Sequence, residues 1–170
     1  MNKIKRTSVF ILYVAMTCFF AYLARFLILK DYVGKCLNNP DGFLYLTIVK
    51  NRGAAFGLFD NSGMFLVVVA SAVVLYILLR FLTAKFYISE KKCILLSCLS
   101  AGIIGNAFER YYYGFVLDFI KVNLWNFPVF NINDILITIP VFILIIEILI
   151  RKKDEYFNDK EVEEDIYLDE

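Results

Sequence analysis

Hydrophobic residues occur along this chain in four long runs separated by polar segments. The runs cover approximately residues 8–29, 64–82, 93–108 and 135–150. A helix needs about 20 mostly apolar residues to cross the hydrocarbon core of a bilayer. The first two runs have about this length, and the two shorter ones are flanked by polar residues that can reach the interface while the bilayer thins locally. The pattern therefore predicts four transmembrane helices.

Composition agrees with a membrane protein. Hydrophobic residues make up 60% of the 170 residues, and the mean hydropathy is +0.65. Soluble domains have roughly 45–50% apolar residues, so this chain has more apolar surface than a globular core can bury. The excess is expected to face lipid. The formal net charge of +1 gives no indication of a nucleic-acid partner.

Positive charges are unevenly distributed among the polar segments. Three lysines or arginines precede the first run, four lie within residues 80–92 and four follow residue 150, whereas the other two loops contain six over a longer stretch. Because lysine and arginine remain on the cytoplasmic side, we expect both termini in the cytoplasm and the loops at about 30–63 and 109–134 outside. The first run is too long for a cleaved signal peptide, which predicts an uncleaved span.

The polar segments differ in character. The first outer loop contains a run of leucine, aromatic and β-branched residues at positions 43–49, after a turn signal at 38–42, and residues 50–53 then turn the chain back. This pattern predicts a small β-sheet at about residues 40–60, lying at the membrane surface. Residues 154–170 are acidic and polar, which predicts a disordered cytoplasmic tail beyond a membrane domain of residues 1–153.

Few side chains are available for acid–base chemistry near neutral pH. The chain has no histidine, so the commonest general base and metal ligand is missing. Of the four cysteines, three lie within apolar runs and none forms a C-x-x-C pair. They are expected to be small buried hydrophobes rather than ligands of zinc or partners in disulfides. We therefore expect no metal and no cofactor, with chemistry supplied by carboxylates, tyrosine, lysine or cysteine.

Four carboxylates lie near the ends of the predicted spans, where ionisable groups are costly. They are Glu109, Asp118, Asp134 and Glu147. Glu147 stands four residues before Arg151, which favours an ion pair along one helix face. Asp134 begins the last run, where a carboxylate can also stabilise a helix N-terminus. Asp118 has apolar residues on both sides, which is unusual for an aspartate in a solvated loop.

Asp118 and Asp134 both lie at the predicted outer boundary of the membrane. Two carboxylates held close together share one proton and titrate as a pair. The ionised member can take a proton from a water that attacks a peptide carbonyl, while the protonated member polarises that carbonyl. The positions of the two aspartates in the sequence permit this chemistry but do not by themselves show that it takes place.

Four short blocks occur in order between residues 51 and 134. Residues 51–57 resemble Asn-x-Gly-x-Ala-Phe, residues 102–110 resemble Gly-x-x-Gly-Asn-x-x-Asp-Arg, residues 116–120 resemble Val-x-Asp-Phe, and residues 130–134 resemble Phe-Asn-x-Ala-Asp. These are similar to the motifs of lipoprotein signal peptidases, also called signal peptidase II. Each block is weak by itself, and the four in order make the resemblance specific.

The resemblance implies a mainly α membrane protein with four transmembrane helices, a small extracytoplasmic β-sheet cradle and a short periplasmic-side helix. It implies a monomeric aspartic endopeptidase of the bacterial cytoplasmic membrane, in contact with lipid, that cleaves prolipoprotein signal peptides just before a diacylglyceryl-modified cysteine. Asp118 and Asp134 match the catalytic aspartates. The residues that match substrate-binding or site-ordering positions are Asn51, Gly53, Asn106, Glu109, Arg110 and Asn131. Gly53, Gly102 and Gly105 suit either close backbone approach or helix packing.

The chain departs from the family pattern at three places. Ala21 stands where the first span of the family carries an aspartate, with Arg25 in place of the following lysine. Glu109 replaces an aspartate, and Asn133 replaces a small residue beside Asp134. These departures leave an alternative open, a catalytically impaired relative that binds lipoprotein precursors or assists another membrane protein. An unrelated carrier or channel is disfavoured, since it would need ionisable residues deep within the spans. Only Arg25 and Glu147 come near such a position, and both can snorkel.

Overall fold

The computed structural model describes residues 3–34, 42–53, 63–83, 89–125 and 127–168. Four helices and two strands form in these ranges. The helices are α1 (Lys3–Gly34), α2 (Gly63–Thr83), α3 (Glu90–Tyr113) and α4 (Ile132–Leu168), and the strands are β1 (Leu44–Asn51) and β2 (Val116–Val122).

Each of the four helices contains a segment long and apolar enough to cross a membrane. The segments are Lys5–Lys30, Gly63–Thr83, Glu90–Tyr113 and Ile132–Ile150. The prediction of four transmembrane helices is therefore confirmed. The third helix is longer than its apolar run at both ends. Ser89 caps it by accepting a hydrogen bond from the backbone N–H of Lys92, and Gly114, in the left-handed region at φ 77°, ends it with a bond to the Arg110 carbonyl.

Helix α3 lies at the centre of the bundle and packs against the other three helices. Its buried face carries small and polar residues, including Ser97, Ser100 and Ala101, which allow close helix approach. A Cβ atom on Gly102 would lie 2.6 Å from the backbone oxygen of Asn133 at the start of α4. Gly102 therefore allows α3 to approach the backbone of α4 closely.

A small apolar core joins α1, α2 and α3 at the end predicted to be cytoplasmic. The rings of Phe10 and Phe81 stack with centroids 4.1 Å apart, and Ile77 and Cys93 are buried beside them. The guanidinium of Arg6 donates a hydrogen bond to the Phe81 carbonyl at 3.0 Å. Cys93 here has the packing role expected of it. Cys36 lies outside the described residues.

The two strands pair antiparallel and come from different outer loops. Leu44 lies opposite Val122 and Asn51 opposite Val116, with one extra residue on β1 between Leu46 and Val49. The sequence places the sheet within residues 40–60, and the structure confirms a sheet there but takes its second strand from residues 116–122. This pairing matters because β2 contains Asp118.

The short extracytoplasmic helix has no counterpart among the described residues, and residues 54–62, which connect β1 to α2, lie outside them. The sequence predicts disorder for 154–170, whereas α4 continues to Leu168. Glutamate and lysine, frequent in this segment, are good helix formers that extend a helix already nucleated in the membrane.

Candidate active site

Asp118 is held in the middle of β2, where the sheet meets the helices. Val49 lies directly opposite Asp118, so Asn51, two residues further along β1, is a diagonal neighbour on the same face. The Nδ2 atom of Asn51 donates a hydrogen bond to Oδ2 of Asp118 at 2.9 Å. Asp118 is 3% exposed, so this carboxylate depends on protein donors rather than on bulk water.

The segment before α4 runs alongside β2 and brings a second amide to Asp118. The backbone groups of Ile120 and Phe130 exchange two hydrogen bonds, of 2.8 and 3.0 Å. This bridge places the next residue, Asn131, beside the aspartate. Its Nδ2 atom donates to Oδ1 of Asp118 at 2.7 Å. Both carboxylate oxygens of Asp118 therefore have amide donors.

The start of α4 fixes Asp134 through reciprocal capping. The side-chain oxygen of Asn131 accepts hydrogen bonds from the backbone N–H groups of Asn133 and Asp134, at 2.7 and 3.2 Å. Oδ2 of Asp134 accepts in return from the backbone N–H of Asn131, at 2.9 Å. This is the arrangement of a capping box. Asp134 thus has the helix-terminal role that its position suggested, and one of its oxygens remains for other contacts.

Asn106 on α3 connects the two aspartates. Its Nδ2 atom donates to Oδ1 of Asp134 at 2.8 Å. Its side-chain oxygen accepts from Asn131 at 3.3 Å, and Asn131 also donates to Asp118. The carboxylates therefore belong to one continuous network of amide hydrogen bonds, and this network is largely buried.

Arg110 braces the same region one turn further along α3. Its Nη2 atom donates to the Gly53 carbonyl at 2.7 Å, and its Nη1 atom donates to the Asn106 carbonyl at 3.3 Å. The backbone N–H of Gly53 donates to the side-chain oxygen of Asn51 at 3.0 Å. Arg110 therefore ties the end of β1 to α3 and holds a positive charge near the two aspartates.

Asp118 and Asp134 line one open cavity of about 850 Å³. Asn51, Asn106 and Arg110 contribute the other strongly polar side chains of its lining. Most of the remaining surface is apolar. It comes from α2, from residues 127–130 and from the first turns of α4, and its α2 residues are Leu66, Val69, Ala70 and Val73.

The surroundings of Asp118 disfavour its ionised form. Burial raises the pKa of its carboxyl above the ordinary aspartate value, and the negative charge of Asp134 raises it further. The hydrogen bonds from Asn131 and Asn51, together with the charge of Arg110, act in the opposite direction but do not offset burial. Asp118 therefore retains a proton at a higher pH than a solvated aspartate.

Glu109 is buried but does not face this cavity. Its Oε2 atom accepts a hydrogen bond from the backbone N–H of Leu117 at 2.8 Å, next to Asp118 in sequence. Its Oε1 atom lies 3.2 Å from Nε of Arg25, an ion pair without hydrogen-bond alignment. Both residues line a smaller cavity between α1, α3 and α4, together with Ala21.

The sequence therefore identified most of the polar groups that meet here, and it missed Arg25. This arginine was expected to be able to snorkel, and in the structure its Nε atom lies 3.2 Å from Oε1 of Glu109. The sequence indicated Arg25 through two departures from the family pattern, which are arginine for lysine at position 25 and glutamate for aspartate at position 109. Glu147 pairs with Lys92 at 3.2 Å, and the side chain of Arg151 lies outside the described residues.

Comparison with known proteins gives this geometry a context. The family model of signal peptidase II matches residues 7–150. The chain belongs to the signal peptidase II family. It is 36% identical to the lipoprotein signal peptidase of Syntrophomonas wolfei over 118 residues, which cover 69% of this chain and 76% of that protein. It is 32% identical to the lipoprotein signal peptidase of Clostridium tetani over 123 residues, covering 71% and 76% respectively.

Solved structures agree with this family fold. A bacterial membrane enzyme determined by the in meso method at 2.3 Å resolution superimposes with a TM-score of 0.73 at 27% identity, covering 86% of this chain and 91% of the other. A second bacterial membrane enzyme, determined at 1.9 Å, gives a TM-score of 0.65 at 27% identity over 84% and 93%. Membership of the signal peptidase II family makes the protein a membrane peptidase that acts on prolipoprotein signal peptides.

Proposed function

We propose that this signal peptidase II family member is an active aspartic endopeptidase with Asp118 and Asp134 as its catalytic pair. The observation that carries the proposal is that both carboxylates line one cavity and are joined by the amides of Asn131 and Asn106. A cavity with two linked carboxylates and an apolar wall suits hydrolysis of a peptide bond in an apolar chain.

The two carboxylates have different surroundings, and this assigns their roles. Asp118, whose pKa is raised by burial, holds the shared proton and donates it to the oxygen of the scissile carbonyl. Asp134, which accepts hydrogen bonds at both oxygens from Asn106 and Asn131, acts as the base and takes a proton from the attacking water. That proton passes to the leaving amine as the tetrahedral intermediate collapses, and one hydroxyl of the intermediate returns its proton to Asp118.

The cavity also favours a lipid-modified substrate. Its apolar wall from α2 and residues 127–130 can accept the signal peptide, with the acyl chains of a diacylglyceryl-modified cysteine extending into lipid. The carboxylates lie at one end of the bundle, where β2 packs against α3. Cleavage just before the modified cysteine then takes place at the membrane surface.

The same reasoning places the enzyme in the bacterial cytoplasmic membrane. The sheet and the aspartate pair face the outer side, and both termini lie in the cytoplasm, in agreement with the distribution of lysine and arginine.

Cleavage of a lipidated precursor by the purified full-length protein in lipid vesicles tests the proposal. Asp118→Asn and Asp134→Asn should each lower the rate by at least about a hundredfold, the lower range for loss of a general acid or base. Glu147→Gln, which changes a carboxylate paired with Lys92 away from the site, serves as the matched control and should retain the rate.

Two outcomes would contradict the active peptidase. Near-normal cleavage by either aspartate variant would remove the proposed pair. A wild-type protein that binds the lipidated precursor but does not cleave it would favour the impaired relative, which the departures at Ala21, Glu109 and Asn133 had left open.

A further inference from the structure

Asn133 lies on the far side of the aspartate network from the substrate cavity. It is the second residue of α4 and lines the smaller cavity between α1, α3 and α4. Ala21, Arg25 and Glu109 line the same cavity. The four residues at which the chain departs from the family motifs described above therefore line one cavity, behind the aspartates.

The side chain of Asn133 is directed at Asn106. Its Nδ2 atom donates to the side-chain oxygen of Asn106 at 3.3 Å. On the other side of that amide, Nδ2 of Asn106 donates to Asp134 at 2.8 Å. A primary amide offers a donor at one end and an acceptor at the other. A donor placed at the oxygen end therefore fixes which end faces the carboxylate.

Gly105 leaves the space that Asn133 occupies. A Cβ atom at position 105 would lie 2.5 Å from Nδ2 of Asn133 and 2.6 Å from both its Cγ and its Oδ1. These distances are too short for any real contact, so an alanine here would displace the Asn133 amide. Gly105 and Asn133 are thus sterically coupled, and the pair offers a way to move the amide without deleting it.

We infer that Asn133 is a positioning residue for the reaction, acting on Asp134 through the amide of Asn106. The inference rests on the proposed role of Asp134 as the ionised member of the pair. With Asn133 in place, the NH₂ end of Asn106 faces Asp134 and stabilises its negative charge. Without it, only Asn131 holds the oxygen end, and Asn106 can rotate to bring its own oxygen against the carboxylate.

The pH dependence of cleavage reports this effect. The charged groups packed around Asp134 are Asp118 on β2 and Arg110 on α3, with the pair of Glu109 and Arg25 behind them. None of these is altered by a change at position 133. Loss of the Asn106 donor penalises the ionised form of Asp134, so the acid limb of the rate profile should move to higher pH.

The experiment measures cleavage of a lipidated precursor across a range of pH for Asn133→Ala, Gly105→Ala and the double variant. Each single variant should lose roughly fivefold in rate at neutral pH, the effect typical of one hydrogen bond, and should show the shifted acid limb. The double variant should be no worse than Asn133→Ala, because Gly105→Ala acts only by displacing the amide that is then absent.

Gly102→Ala provides the matched control. A Cβ atom there meets the backbone oxygen of Asn133 at 2.6 Å and the side chain of Ile137 at 2.9 Å. Removal of the Asn133 side chain relieves neither contact. Gly102→Ala should therefore still lower the rate in the Asn133→Ala background instead of being absorbed by it.

An Asn133→Ala variant with unchanged rate and unchanged acid limb would overturn the inference, as would an additive effect of Gly105→Ala. Asp118→Asn and Asp134→Asn are assayed beside these variants. If the aspartate variants are inactive and Asn133→Ala is normal, the positioning role alone fails. If either aspartate variant cleaves normally, the proposed pair itself fails.

Discussion

Single side chains set the protonation of the proposed pair. Burial of Asp118 opposes ionisation, and the amides of Asn51 and Asn131 partly restore it. A carboxylate with less burial or with more donors would have a pKa nearer the ordinary aspartate value and would lose its proton at lower pH. The site therefore depends on a balance between removal of water and supply of hydrogen bonds.

Removal of one hydrogen-bond donor should raise the pKa of Asp118. In Asn51→Ala, the hydrogen bond to Oδ2 of Asp118 is lost, so the pKa of Asp118 should rise further above its usual value. Because Asp118 must remain protonated to act as the acid, the alkaline limb of the cleavage profile should move to higher pH. The rate at the optimum should fall by roughly fivefold, since one hydrogen bond is lost.

The pH profile of precursor cleavage checks this expectation. Asn123→Ala is the matched control, because Asn123 lies at the far end of the sheet and keeps its backbone hydrogen bond to the Phe43 carbonyl. Its profile should coincide with that of the wild type. An alkaline limb that moves to lower pH in Asn51→Ala would show that the donor does not stabilise the ionised form.

At the scale of helices and strands, one buried ion pair connects α1 to the sheet. Arg25 on α1 contacts Glu109 on α3, and Glu109 accepts the backbone N–H of Leu117 at the start of β2. The position of Asp118 therefore depends on an element that contributes no side chain to the substrate cavity. Glu109 therefore helps to order the site although it does not line the substrate cavity.

Loss of this ion pair should lower both the stability of the protein and its activity. Arg25→Ala leaves the Glu109 carboxylate buried without its cation, and removal of one member of a buried pair typically costs about 3–5 kcal/mol. We expect a marked fall in the midpoint of thermal unfolding in detergent and at least about a tenfold loss of cleavage. Arg25→Lys, which keeps the charge, should recover part of both.

The chain offers a second ion pair for comparison. Lys92 and Glu147 connect α3 to α4 at 3.2 Å, and both side chains are more exposed than Glu109. Lys92→Ala should therefore change thermal stability by about 1 kcal/mol or less and leave cleavage intact. Equal effects of Arg25→Ala and Lys92→Ala would contradict a specific role for the Arg25 pair.

At the scale of the whole molecule, apolar side chains remain exposed on the outer faces of the helices. Large hydrophobic residues of α1, α2 and α4 are more than one third exposed along much of their lengths. Aromatic residues are exposed at the end that carries the sheet, including Trp125 and Tyr111 to Tyr113. Such residues favour the interface between membrane and water, which agrees with a sheet lying at that level.

Reporter fusions test the proposed orientation. A green fluorescent protein joined after Ile150 should fluoresce, because it remains in the cytoplasm, whereas an alkaline phosphatase joined after Asn51 should be active, because it is exported. Exchange of the two reporters at the same positions is the control and should silence both. The opposite pattern would place the aspartates on the cytoplasmic side.

The sequence by itself determined the features that depend on local composition. Each span is a continuous apolar run, and such a run must become a helix in lipid because its backbone groups have no other partners. Similarly, the alternating residues 43–49 indicated a strand. Asp118 and Asp134 were indicated by their unusual surroundings and by the family motifs, with their pairing in one cavity still a prediction at that stage.

The tertiary structure decided which distant residues meet. Asn51 and Asp118 are 67 positions apart, and the pattern of either strand reports which face is buried without identifying its partner. In the same way, the sequence showed that Arg25, Glu109 and Asn133 were unusual, but only packing of α1 and α4 against α3 brings them behind the aspartates. The spacing of apolar residues within one element shows which of its faces is buried. Contacts between elements depend on how the helices and the sheet pack together.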